Sequence, residues 1–284
     1  MPDRWAEWLR TRRDGGSPEQ REAALAFLAP IRDRILDGAD VAATDVVLDV
    51  GCGDGLVGLG ALERGARVIF SDISEDCLAD CRSIAGELAE YRRVSATDLG
   101  DVVADVVTMR SVLIYVAQKQ RAFREFFRVL RPGGRLSIFE PINRFGLEQR
   151  RETCGFLDVG AVAPLLEKVV AAIDRAEEHE GGLRPMIDFD ERDLMAFAEA
   201  AGFDHIRLDL RAEMTTTADW RPRDWEVFLD SSPNPLASTF GEAMREALTP
   251  EEQRELTAVL RPQVEEGRGT TRLAQAFLTA RKPA

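Results

Sequence analysis

Between residues 45 and 141 short apolar runs alternate with longer stretches whose apolar residues recur every three or four positions. The runs DVVLDV, ARVIFSD, YRRVSAT, ADVVTMR and RLSIFEP predict five strands, and GLVGLGALERG, EDCLADCRSIAGELAE and QKQRAFREFFRVLRPGG predict the helices between them. Such alternation predicts a parallel sheet covered by helices on both faces. In the last of these helices Phe123, Phe126, Phe127 and Leu130 share one face, and Pro132-Gly133-Gly134 ends it. Upstream, Ser17-Pro18-Glu19-Gln20 reads as a capping box with proline at the first helical position. The pattern therefore divides into an amino-terminal helical layer, residues 1–40, and a core, residues 41–140.

Beyond the fifth strand the helical period returns. Leu165, Leu166, Val169, Val170 and Ile173 form one face within an insertion spanning 141–190, whose helix Gly181-Gly182 would end. DERDLMAFAEAAGF then predicts a core helix and DHIRLDLRAEMTT a strand, so 191–217 rejoins the sheet, as does a last strand in 271–284, TRLAQAFLTARK. Between them 218–270 leaves again, with a second capping box at Thr249-Pro250-Glu251-Glu252. Two insertions that leave and rejoin one sheet are expected to stack as a cap over one end of it. Trp5, Trp8, Phe145, Trp220, Trp225 and Phe228 offer apolar surface for a ligand there, or glue helices to the core.

The chemistry concentrates in VLDVGCGDGL, residues 47–56, where the first strand turns into its helix. In a doubly wound sheet that turn lies at the carboxyl ends of the strands, where ligands bind. Gly51, Gly53 and Gly55 let backbone approach a ligand. Leu56 stands where a dinucleotide fingerprint has its last glycine, and Asp49 and Asp54 would set carboxylates around a pyrophosphate. A ligand with a cationic end suits this loop better. Asp72 follows Gly51 by 21 residues, the interval of a ribose-binding acid, and a carboxylate can accept from two vicinal hydroxyls.

VLDVGCGDG resembles motif I of the class I S-adenosylmethionine-dependent methyltransferases. Asp72 in FSDIS, Asp98 in SATDLG and the run VLRPGGRLSIFEP continue the match in order. The resemblance implies a doubly wound, mostly parallel, seven-stranded Rossmann-like α/β sheet. It also implies that the loop Gly51, Cys52, Gly53, Gly55 wraps the methionine part of S-adenosylmethionine. Asp49 would orient that loop and act on the amino end, Asp72 would accept both ribose hydroxyls, and Ile73 would pack on adenine. Asp98 would accept from the adenine amine, the Leu99 amide would reach the ring, and Arg110 and Ser111 would contact the methionine portion. Two residues are candidates for catalysis. Tyr115 either orients the acceptor or packs under the next helix, and Glu140 either acts on the acceptor or pairs with Arg144.

Composition narrows the partners. A net charge of −13 disfavours nucleic acid, which is bound through clustered positive surface. No apolar run approaches the roughly 18 residues of a membrane span, and MPDRWAEWLRTRRDGG lacks the apolar stretch of a signal peptide. A cytoplasmic setting is the default. Four cysteines without a CxxC pair and two distant histidines predict no metal, and Cys77 and Cys81 read as core residues. His205 is expected at the far end of the sheet. The expected function is methyl transfer to a small organic acceptor at oxygen, nitrogen or carbon, with S-adenosylhomocysteine as product. The alternatives are a donor-binding regulator without turnover, or methylation of RNA or protein. The amino-terminal helices offer a surface for a homodimer.

Overall fold

A computed structural model describes residues 3–179, 183–217 and 222–284. Trp220 and Gly181-Gly182 lie outside the described residues. Seven strands form one sheet in the order β3-β2-β1-β4-β5-β7-β6: β1 (Val46–Val50), β2 (Arg67–Asp72), β3 (Ala89–Arg93), β4 (Ala104–Arg110), β5 (Leu130–Pro141), β6 (Asp204–Thr217) and β7 (Arg268–Arg281). The first five are parallel, and β7 runs antiparallel to both β5 and β6. Every residue of β1 is buried, because parallel strands carry helices on both faces and read as apolar runs rather than alternating ones.

On one face lie α2 (Pro18–Gly38), α3 (Leu56–Glu63) and α4 (Glu75–Ala85), contributing Ile35, Leu36, Val57, Leu78 and Cys81 to a core around Val47 and Phe70. On the other lie α5 (Lys119–Val129) and α9 (Glu191–Ala201), whose Phe123, Phe126, Leu194 and Ala198 pack on Leu48, Val107 and Met109. The predicted N-cap of α2 is present, with the Ser17 hydroxyl accepting from the Gln20 amide at 3.2 Å. Ahead of α2, α1 (Arg4–Glu7) runs into a wide π-type turn, Trp8–Arg12.

A third apolar cluster joins α7 (Ala163–His179) of the first insertion to α10 (Trp225–Asp230), α11 (Phe240–Ala247) and α12 (Pro250–Glu265) of the second. The short helices α6 (Leu147–Thr153) and α8 (Leu183–Ile187) connect this cap to the sheet. The Thr249 capping box closes as the sequence predicts, the Glu252 carboxylate accepting from the Thr249 amide at 2.8 Å and the Thr249 hydroxyl from the Glu252 amide at 3.3 Å. No described helix is long and apolar enough to cross a membrane.

Two boundaries differ from expectation. Leu130 leaves the face of α5 and starts β5, pairing with Ala104 ahead of a register shift. The third strand ends at Arg93 rather than at Thr97: Arg93 pairs with Asp72 at the carboxyl edge of the sheet, the Val94 amide still donates to the Asp72 carbonyl, and the chain turns back between Ser95 and Asp98.

Candidate functional site

The order of the sheet reverses between β1 and β4, and the crevice at their carboxyl ends is where doubly wound sheets bind ligands. The loop from β1 to α3 lines this crevice. Gly51, Gly53 and Gly55 have φ of +65°, +53° and +80°, a region costly to any residue with a Cβ. At Gly51 space is excluded as well, since a Cβ would lie 2.4 Å from Cγ2 of Val112 on the turn after β4.

Asp49 braces this loop from below. It is 2% exposed, and its two oxygens accept from the Gly58 amide at 2.9 Å and the Thr108 hydroxyl at 3.2 Å, tying β1 to α3 and β4. Burial pushes its pKa up to about 7. Each oxygen thus holds one protein donor, and the acid braces the loop from within. Asp54 is the acid that faces the crevice. Its Oδ2 accepts from Arg13 at 2.7 Å, while its Oδ1 is buried without a hydrogen-bond partner, 3.9 Å from the Arg110 guanidinium.

Asp72 ends β2, and its carboxylate accepts from the amides of Gly53 at 3.0 Å and Ser74 at 2.9 Å, linking the second strand to the glycine loop. Burial raises its pKa. Ile73 beside it is half exposed. Ser111 follows β4 with φ of +57° and donates its amide to Phe139 at 2.9 Å. The Cys52 thiol turns into the core, 3.8 Å from that of Cys81, leaving only its backbone in the loop.

Two expectations, for the Leu99 amide and for Glu140, do not hold. The Leu99 amide is already donated to Glu125 at 2.9 Å, and its side chain is fully buried, because this stretch is returning toward the start of β4. Asp98 is exposed, accepting from the Gly100 amide at 3.4 Å in a local turn. The residues that follow the carboxyl end of β3 are Ser95 and Ala96, which the overlong third strand concealed. Glu140 is fully buried, its oxygens accepting from the amides of Val112 and Leu113 at 2.9 Å and Ile114 at 3.3 Å. It meets neither Arg144 nor the crevice and is a positioning residue for the turn that carries Val112. Tyr115 stands at the crevice with its ring edge-on to Trp5, centroids 4.9 Å apart. Burial, then Glu140 and Glu177, raise the pKa of its hydroxyl, so it keeps its proton. His205 lies at the opposite end, since its neighbour Asp204 pairs with Arg281, which pairs with Arg135 near the start of β5.

Trp5 and Trp8 were expected as apolar surface for a ligand or as glue between helices; the contacts of the amino-terminal segment with the glycine loop were not foreseen. Trp5 meets Tyr115, Leu9 packs beside Gly53, and Arg13 reaches Asp54, while Trp8 donates its indole N–H to the Ser232 carbonyl of the cap at 3.0 Å. Arg12 pairs with Glu242, also in the cap. The π-type turn sets Arg13 five residues after Trp8 and beneath its indole, 5.9 Å from the ring centroid. The segment bridges the glycine loop and the cap.

The sheet order and the glycine loop define a class I methyltransferase fold. Comparison with known proteins agrees in this part of the chain: residues 48–138 match the family model described as a methyltransferase domain. A ubiquinone biosynthesis O-methyltransferase of Pseudomonas fluorescens (strain SBW25) is 35% identical over 126 residues, covering 42% of this chain and 54% of the relative. A demethylmenaquinone methyltransferase of Clavibacter sepedonicus is 33% identical over 169 residues, 55% of this chain and 64% of that protein. The chain thus spans about half the length of the first of these relatives. The Haemonchus contortus phosphoethanolamine N-methyltransferase 2, solved with phosphomonomethylethanolamine and S-adenosylhomocysteine, shares the fold at a TM-score of 0.51 and 16% identity, over 99% of this chain and 56% of that one.

Proposed function

We propose that the protein is an enzyme that moves a methyl group from S-adenosylmethionine to a small organic acceptor, at oxygen, nitrogen or carbon, and releases S-adenosylhomocysteine. The observation that carries this reading is the mouth of the glycine loop, where Asp54 Oδ1 is buried without a hydrogen-bond partner, 3.9 Å from the Arg110 guanidinium. An ammonium satisfies that oxygen and a carboxylate satisfies the guanidinium, so the amino-acid end of the donor fits this mouth. Asp72, level with the end of β3, is placed for vicinal hydroxyls, and the half-exposed Ile73 for the flat face of a base. Ser95 and Ala96 take over the adenine-edge role first expected of Asp98 and Leu99.

The donor supplies a methyl group on a sulfonium, ready for direct displacement. The protein's part is then alignment and exclusion of water, for which effective molarities are worth about 7 to 11 kcal/mol in favourable cases. Trp5 and Tyr115 form a wall on which a flat acceptor can lie, and Trp8, Leu9 and Arg13 close the loop from outside. Glu140 is engaged by three amides and Tyr115 keeps its proton, so neither serves as a base. An acceptor with an acidic hydroxyl or an electron-rich ring suits such a site. The names of the relatives point the same way, to quinone-like rings.

Calorimetric titration with S-adenosylmethionine, S-adenosylhomocysteine and NAD tests the donor. Binding of the two adenosyl ligands alone supports the proposal, and binding of NAD alone overturns it. Incubation with a panel of phenols, quinols and amines, followed by assay of S-adenosylhomocysteine, separates an enzyme from a donor-binding protein without turnover.

A further inference from the structure

β6 is an edge strand of fourteen residues, hydrogen bonded on one side only, to β7. Most of it is exposed on both faces; Leu210 and Met214 are 45% and 67% exposed. A long, straight edge of this kind presents a row of unpaired amides and carbonyls, and proteins usually blunt one with proline, a bulge, lysine or a covering element. Here the pairing with β7 is regular from Arg207 to Thr215, with irregularities only outside that stretch, and the stretch holds neither proline nor lysine.

Its charges alternate in sign along one face: Arg207, Asp209, Arg211, Glu213. The apolar residues Leu208, Leu210, Ala212 and Met214 occupy the other. An antiparallel copy of the strand centred on Leu210 sets Arg207 opposite Glu213, Asp209 opposite Arg211, Leu208 opposite Ala212 and Leu210 opposite itself. Moving the centre to Asp209 sets Arg207 against Arg211 and Asp209 against its own copy. Moving it to Arg211 sets Asp209 against Glu213 and Arg211 against its own copy. One register is complementary and both of its neighbours place like charges together. Within a single chain Arg34 of α2 holds Asp209 at 2.8 Å, and Arg211 turns along its own strand to Glu213 at 3.0 Å. Each carboxylate and guanidinium has further acceptor or donor capacity for a partner.

We propose that β6 pairs with β6 of a second copy of this chain, antiparallel and centred on Leu210, joining the two sheets through a twofold axis. Centring on Leu210 makes four opposite-charge cross-strand contacts across the axis and excludes the two adjacent registers, and it sets the apolar residues from Leu208 to Ala212 side by side on one face. The segment that opens the chain is engaged within its own chain, Trp5 against Tyr115, Leu9 beside Gly53 and Trp8 on the Ser232 carbonyl.

Analytical ultracentrifugation of the full chain over a range of micromolar concentrations tests this without reference to activity. The expected result is a monomer–dimer equilibrium that Arg207→Glu weakens about tenfold or more, since two attractive cross-strand pairs become repulsive. The double variant R207E/E213R restores opposite charges across the axis and should return the dissociation constant to within a few-fold of the parent. Circular dichroism melting confirms that both variants fold. A parent chain that stays monomeric throughout overturns the proposal. So does a dimer indifferent to Arg207→Glu, or one that the double variant fails to rescue.

Discussion

The glycine-loop half of the sheet and the helical cap differ in what holds them. Around the loop, backbone is pinned by buried acids: Asp49 ties β1, α3 and β4 together, Asp72 holds the Gly53 amide, and Glu140 gathers three successive amides. The cap is held mainly by apolar packing of Phe156, Trp225, Phe228 and Phe240, with buried polar knots such as that in which Glu177 accepts from Arg150 at 2.7 Å and Asn234 at 2.6 Å. Hydrogen bonds fix positions to a fraction of an ångström, whereas an apolar core tolerates exchange of side chains of similar volume. The first arrangement suits one invariant ligand. The second can be reshaped for different acceptors on the same fold.

The comparison is broken most directly by emptying the cap. Trp225 is 4% exposed and stacks on Phe228 with centroids 5.6 Å apart, so Trp225→Ala should cost about 3 to 5 kcal/mol of stability. Affinity for S-adenosylmethionine should stay within a few-fold of the parent. Denaturant melts paired with calorimetry check this, and a donor affinity that collapses with the cap would show that the two halves are one unit.

The converse experiment is Gly51→Ala. A Cβ in the left-handed region, 2.4 Å from Val112 Cγ2, should cost about 2 to 5 kcal/mol from backbone strain and overpacking together. Donor binding should be lost, because the loop or the turn after β4 must move. Retained affinity in the folded variant would mean that the loop is not the donor site. Asp72→Ala is milder: donor affinity should fall by about 1 to 3 kcal/mol, the scale for losing a charged hydrogen-bond partner. Calorimetry reads it, and unchanged affinity in a folded variant removes the ribose assignment.

The same contrast explains what could be read from the chain. Positive-φ glycines leave a mark in the sequence because few other residues can stand there, so Gly51, Gly53 and Gly55 and the strand before them were legible. Asp72 was legible for its interval. The end of β3 was not: YRRVSAT continues its apolar and β-branched residues past Arg93, and only the pairing of Arg93 with Asp72 shows where the strand stops. That is why Ser95 and Ala96, just past the end of the strand, were not singled out. Glu140 was rightly set at the carboxyl end of β5, yet no pattern tells whether a carboxylate points outward or inward to three amides. The amino-terminal segment was legible as helix, but its contacts with the glycine loop are between residues some forty or more positions apart and have no local signal.

The two halves should also differ in the sign of their response to pH, the smallest of these effects. Asp49 and Glu140 have pKa values pushed up to about 7 by burial, above the ordinary carboxylate range near 4. Between those limits the folded protein holds protons that the unfolded chain has released, so these groups stabilise the fold fully at low pH and less as pH rises toward 7. Each contributes a slope of up to about 1.4 kcal/mol per pH unit in that window. In the cap, Lys168 at 2.6 Å and the Thr249 capping contacts pull Glu252 down to about 2. Its stabilisation is present above the ordinary glutamate pKa and is lost as pH falls toward 2. Asp49→Asn should therefore flatten the decline in stability between about pH 5 and pH 7, and Glu252→Gln should leave that decline unchanged while reducing the loss in acid. Melts of the parent and the two variants across this range decide it. A parent-like slope in Asp49→Asn would mean that Asp49 is ionised throughout, with the Gly58 amide and the Thr108 hydroxyl outweighing its burial.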